Sequence, residues 1–129
     1  MAPDAAAIVR ASFDARTLAE GASYWHDDVE YHEDPLWPGS GTYRGRETVT
    51  RRWEEYVDVL GPATEMSVQD VCDAGDALVA LVRVRGTAQG SGAPHDHLWG
   101  YVVRVEDGKL RYIRALYDPD EALRAAGLG

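Results

Sequence analysis

The sequence predicts an α+β fold in which helices pack against one face of a bent antiparallel sheet. Three observations carry this. Helical spacing of apolar residues is confined to roughly the first sixty positions. From Thr64 onward the period changes to two, the repeat of a strand. Turn signals at Asp73-Ala74-Gly75-Asp76, Gln89-Gly90-Ser91-Gly92-Ala93-Pro94 and Asp107-Gly108 then cut the second half into hairpins. A sheet that must twist and curl over helices leaves a hollow at its open end. At 129 residues the chain is one domain with enough apolar residues for a core.

Pro3 and Asp4 suit a helix start, and Ile8, Val9, Ser12 and Phe13 recur at helical spacing, so a first helix is expected to about Arg16. Thr17 to Trp25 reads as a shorter second helix that turns Leu18, Ala22 and Trp25 inward. Asp27-Asp28 marks a turn, and a strand follows from Val29 until Pro35 interrupts it. Gly39 to Gly45 is a loop by composition. A third helix is predicted from Arg46 to Leu60, where Val49, Trp53, Tyr56, Val57 and Leu60 form one apolar stripe. Trp53 and Tyr56 read as core; Arg51, Arg52, Glu54 and Glu55 cover the rest, and Gly61-Pro62 stops the helix. Strands are then expected from about Met66 to Cys72, Ala77 to Thr87, His95 to Val105 and Leu110 to Tyr117. Asp118 as cap, Pro119 at the first helical position and Glu121 three after the cap start a last short helix. Asp118 is therefore read as a cap worth about 1 kcal/mol rather than as a catalytic acid.

The charge balance excludes several classes. Thirteen basic against twenty-two acidic residues give a net charge of −9. Nucleic acid and anionic membrane surfaces call for a basic face, so neither partner is expected. The one cysteine, Cys72, permits no intrachain disulfide and reads as a small core residue. No apolar run approaches the roughly 20 residues of a membrane span. The start lacks a basic region followed by an apolar one, so a cytoplasmic protein is expected.

Two patterns could carry chemistry. In the strand before Pro35, alternation places Glu30, His32 and Asp34 on one face and Val29, Tyr31 and Glu33 on the other. The first set is either a solvated strand end or, beside Trp37, the polar part of an acid/base pocket. In the strand from His95, one face reads His97, Trp99, Tyr101 and the other Leu98, Gly100, Val102. That is either an aromatic core layer or the wall of a wet cavity. His95-Asp96-His97 with His32 could form a metal clip, but no further spaced ligand pattern supports one. Nucleophile-elbow, phosphate-loop and dinucleotide motifs do not occur.

Trp25 to Pro35, Gly41-Thr42-Tyr43-Arg44-Gly45-Arg46-Glu47, Asp107-Gly108-Lys109 and Arg114-Ala115-Leu116-Tyr117-Asp118-Pro119 together resemble a SnoaL-like protein. That is the polyketide-cyclase-like branch of the nuclear transport factor two-like superfamily, which also holds ketosteroid isomerase and limonene epoxide hydrolase. The resemblance implies a cone: three N-terminal helices on a strongly curved antiparallel sheet enclosing an apolar cavity, often in a homodimer. Asp34-Pro35 resembles the isomerase's Asp-Pro, which implies Asp34 as general base. The isomerase's oxyanion donors fall near Ser12 and Tyr101, and the epoxide hydrolase's paired aspartates near Val84 and Ala115. Neither set carries over.

The resulting expectation is an acid/base enzyme of cyclase, isomerase or dehydratase type acting on a small apolar carbonyl compound. Asp34 takes the proton, His32 tunes or relays it, and Tyr101 with His97 stabilises the enolate-like oxygen. Substrate contacts are expected from Phe13, Tyr24, Trp37, Trp99 and Tyr117, without metal or other cofactor. The alternative is a small-ligand-binding module or dimeric scaffold of the same fold without turnover.

Overall fold

A computed structural model describes residues 4–128. Pro3, expected to help start the first helix, lies outside the described residues. Helix α1 (Ala5–Phe13) is capped by Asp4, whose side chain accepts the Ala6 N–H at 3.1 Å. It ends three residues earlier than expected. Asp14 is drawn off to accept the Val68 N–H at 2.9 Å and so moors the helix end to the sheet. Helix α2 (Leu18–Ala22) is short, with Thr17 accepting the Glu20 N–H. Trp25 belongs instead to strand β1 (Trp25–His32), and the expected turn at Asp27-Asp28 lies inside that strand. A register shift against the neighbouring strand falls between Trp25 and Glu30, across those two aspartates.

Strand β2 (Thr42–Arg44) was expected to be loop; three residues flanked by glycines carry no periodicity to detect. Helix α3 (Arg46–Leu60) has the expected bounds. Gly61 follows it at φ 102°, the left-handed region, where a β-carbon would collide with the Thr87 carbonyl oxygen, so only glycine fits there. Strands β3 (Glu65–Asp73), β4 (Leu78–Thr87), β5 (Pro94–Glu106) and β6 (Lys109–Leu116) follow, then helix α4 (Pro119–Ala125). Asp118 caps α4 by accepting the Asp120 N–H at 2.9 Å.

The strand order is β2-β1-β6-β5-β4-β3. The hairpin pairs are antiparallel as expected, but β1 runs parallel to β6, with Tyr31 beside Ile113. The sheet is therefore mixed. Turn signals govern only neighbours in sequence, whereas β1 meets β6 across some eighty residues, where no local signal acts.

Alternation sorts the sheet into two faces. Val82, Val84, Tyr101, Val103, Ile113 and Ala115 join one core cluster with residues of α1 and α3. Val79, Val102 and Leu116 join a second cluster with Ala122 of α4. Helices thus lie on both faces, with α1 and α3 forming the inner side. Gly100 lets α4 approach: a β-carbon there would collide with Ala122 and lie 3.0 Å from the Pro119 α-carbon. Gly100→Ala is expected to cost about 1–3 kcal/mol through overpacking. Denaturant unfolding would show this as a lower midpoint at unchanged slope.

Candidate active site

Between α1, α3 and the inner face of the sheet lies a hollow of about 760 Å³. Helices α1, α2 and α3 and strands β1 and β3 to β6 all supply residues to its wall. Strand β5 contributes His97, Trp99 and Tyr101, the loop after β1 contributes Glu33, Asp34 and Trp37, and β6 is followed by Tyr117. Phe13 comes from α1, and Trp53 and Tyr56 from α3. Seven of the nine residues singled out from the sequence therefore meet in one place.

Asp34 is 4% exposed. Strand pairing stops at His32, and Trp37 donates its N–H to the Asp34 carbonyl at 2.9 Å, so the chain turns here and alternation lapses. Glu33 and Asp34 are both buried as a result. Asp34 Oδ1 accepts the Leu36 N–H and Oδ2 the Tyr117 N–H, each at 2.9 Å. The carboxylate thus ties the ends of β1 and β6 together. Each oxygen keeps a further lone pair.

His32 corrects the shared-face expectation: it does not line the hollow with Asp34. Its Nε2 lies 3.3 Å from Glu30 and its Nδ1 3.2 Å from the Thr42 hydroxyl, and its ring packs on Tyr112. Strand alternation ends at the last paired residue, His32, so it does not fix where Asp34 points. The hydrogen bond from His32, aided by Arg44 and Arg111, holds the Glu30 carboxyl below its ordinary range against the opposing effect of burial. A lowered folded-state value stabilises the fold above the unfolded value and is lost as pH falls through the folded one. Tyr24 is the second residue outside the lining. Helix α2 ends before it, and its carbonyl accepts the Leu110 N–H at 2.9 Å where β1 meets β6.

His97 stacks on Tyr117, with ring centroids 3.6 Å apart and planes 9° from parallel. Its Nε2–H donates to the Tyr117 carbonyl at 2.6 Å. A neutral His97 therefore presents an acceptor at Nδ1, not the second oxyanion donor expected from the sequence. Tyr101 is 5% exposed, lies between Phe13 and Trp99, and has no hydrogen-bond partner for its hydroxyl among the described residues. Burial pushes its phenol well above the ordinary range, so it stays a protonated donor.

The sequence reading missed the pair that frames the site. Arg52 donates to Glu33 from Nε at 2.9 Å and from Nη2 at 3.1 Å, and Glu33 also accepts the Gly41 N–H at 3.0 Å. The Arg52 guanidinium lies over the Tyr43 and Tyr56 rings and also bonds Glu55. The hydrogen bond to Glu33 raises the Arg52 value above its ordinary one, with burial opposing. By its spacing Arg52 belongs to the helix's solvated coat; nothing local links it to an acid nineteen residues away. Trp53 is also more than filler: its buried Nε1–H has no hydrogen-bond partner among the described residues.

Two groups of possible metal ligands resolve into ordinary hydrogen bonding. His95 Nε2–H donates to the Leu60 carbonyl at 2.8 Å, while Asp96 pairs with Arg83 at 2.6 Å. His26, Glu106 and Asp107 gather within 4.8 Å, but His26 Nδ1 accepts the Asp28 N–H at 3.0 Å. A neutral ring then carries its proton on Nε2, the atom facing Asp107, and offers that side no lone pair.

A family model described as a SnoaL-like domain matches residues 5–113. No curated protein matches the chain. Among solved structures, an NTF2-like protein from Burkholderia thailandensis E264 superposes with a TM-score of 0.77 at 21% identity, covering 94% of this chain and 98% of that one. TerC, co-crystallised with polyporic acid, gives 0.70 at 17% identity over 95% of each chain. The phenazine biosynthesis-related protein phzb2 from Pseudomonas aeruginosa gives 0.73 at 13% identity, over 95% of this chain and 84% of that one. At these identities the likeness is one of fold.

Proposed function

The chain belongs to the SnoaL-like domain family, and from that premise we propose that its hollow is the active site of a small-molecule acid/base enzyme. The reaction is of cyclase, isomerase or dehydratase type, the substrate is an apolar carbonyl compound, and Asp34 is the general base. The observation that carries this is a buried carboxylate and a buried, unpartnered phenol on the wall of one apolar hollow. TerC's co-crystallisation with polyporic acid supports a small, largely apolar ligand in this fold.

The steps follow from the groups present. The substrate's carbonyl oxygen lies against the Tyr101 hydroxyl. Asp34 removes a proton from the adjacent carbon; the C–H electron pair becomes the carbon–carbon double bond of an enolate as the carbonyl π pair moves onto the oxygen. Tyr101, held protonated by burial, donates to that developing oxyanion. Return of the proton to a different carbon completes an isomerisation. Attack of the enolate carbon on an internal carbonyl completes a cyclisation, the proton on Asp34 passing to that carbonyl's oxygen; departure of a β-hydroxyl as water, with the same proton, completes a dehydration. His97 holds Tyr117 in place by its hydrogen bond and stacking, and so shapes the wall.

Tyr101→Phe tests the donor. Deuterium uptake from D2O into a bicyclic ketone such as 2-tetralone reads proton abstraction without knowledge of the natural product. The variant is expected to lose about 10²–10³ in uptake rate, the usual cost of one oxyanion donor. Its unfolding midpoint should stay close to wild type, because the removed hydroxyl has no protein partner. An unchanged uptake rate would rule out Tyr101 as the donor.

A second reading is favoured by one specific observation. Both Asp34 oxygens already accept backbone N–H groups, as they would in a binding module where the carboxylate only fastens the wall. In that case Asp34 substitutions change stability and ligand affinity, and there is no uptake to lose.

A further inference from the structure

We infer that the ligand of this hollow carries, at one end of an otherwise apolar frame, an alkylated ammonium group, seated among Trp37, Trp99 and Tyr117 with Asp34 supplying the opposing charge. This rests on the proposed reading in one respect, that the hollow is where the ligand binds; it does not require turnover.

The aromatic geometry is the first support. Trp37 and Trp99 stand 5.8 Å apart at 61°, and Trp99 and Tyr117 5.3 Å apart at 86°. Tyr56 meets Trp37 at 82°. Rings set steeply to one another along one wall form corners bounded by π faces. The negative face of each ring attracts a cation within about 6 Å of its centroid, and Trp does so most strongly. A bulky alkylammonium is weakly hydrated and leaves water for such a corner more readily than a primary ammonium does.

The charge balance is the second support. Of the acids on the wall, Glu33 is neutralised by Arg52 and Asp96 by Arg83. Asp34 is buried with backbone N–H partners and no basic side chain paired to it among the described residues. The remaining basic groups on the wall do not compensate it. Arg16 is exposed at the rim, and His95 and His97 spend their Nε2–H on backbone carbonyls. A buried anion without a basic partner, beside a corner of aromatic rings, is balanced by a ligand cation. The chain's net charge of −9 would draw a cation toward it. The arrangement also suits proton removal, since an ammonium substituent stabilises carbanionic charge on nearby carbon.

The test compares choline with its uncharged carbon isostere, 3,3-dimethylbutan-1-ol, by tryptophan fluorescence titration of the full chain, with sodium chloride matched for ionic strength. Choline is expected to bind saturably and at least about tenfold more tightly than the alcohol. Trp37→Leu, at a half-buried rim position, and Asp34→Asn should each weaken choline several-fold, and by a larger factor than they weaken the alcohol. Equal or tighter binding of the alcohol, no saturable choline signal, or choline binding insensitive to both variants would each overturn the inference. Alcohol binding with intact ketone deuteration would leave the acid/base reading standing. Choline selectivity without any deuteration would do the reverse.

Discussion

Arg52→Met is expected to destabilise the protein by about 3–5 kcal/mol, because it strands a charge that has nowhere to go. The Glu33 side chain is 2% exposed, and two of its hydrogen bonds come from the Arg52 guanidinium. Without Arg52 the carboxylate must stay charged in an apolar wall or take up a proton, and either route costs free energy. Glu33→Gln should cost less, about 1–3 kcal/mol, since Arg52 keeps Glu55 and is itself partly exposed. Urea unfolding of both single variants and the double variant closes a cycle. The double variant should be more stable than the sum of the single losses predicts. Strict additivity would mean that the pair is not coupled as its bidentate geometry requires. The local effect matters as well. Glu33 also holds the Gly41 N–H, so the pair fixes the ends of the loop that carries Asp34 and Trp37.

Asp34→Asn is the second large effect, and it has two components. The amide can present one oxygen, but its NH2 must then face a backbone N–H, either of Leu36 or of Tyr117. A lost charge-assisted bond and an opposed donor pair together cost about 2–3 kcal/mol. If Asp34 is the base, ketone deuteration should also fall by about 10²–10⁴, measured at a temperature where the variant remains folded. A loss of stability with no loss of rate would assign the carboxylate to fastening alone. Because Tyr101 keeps its proton well above neutrality, an acid limb in the pH–rate profile reports the base and not the donor.

Much of this architecture was legible because it is local. The stripe on α3 apart from the exposed Val57, the Asp107-Gly108 hairpin, the Asp118 cap and the His97-Trp99-Tyr101 face all follow from periodicity or turn chemistry within a few residues. What could not be read depends on contacts between distant segments. The parallel pairing of β1 with β6 and the Glu33–Arg52 pair join positions with no shared pattern. His32 was misplaced for a different reason. A proline soon after a strand signals that the alternation will fail but not at which residue, and here it fails between His32 and Asp34. Tyr24 was displaced by the early end of α2, a boundary error of the kind that short helices invite.

If Asp34 removes a carbon-bound proton inside the hollow, exchange at that carbon depends on its carboxylate. Deuterium incorporation from D2O into 2-tetralone, followed by proton NMR with wild type and Asp34→Asn side by side, reads that step alone. Uptake next to the carbonyl should run well above the buffer rate with wild type and fall by at least about a hundredfold in the variant. Wild-type uptake no faster than buffer, or equal uptake by both proteins, would remove Asp34 as the base.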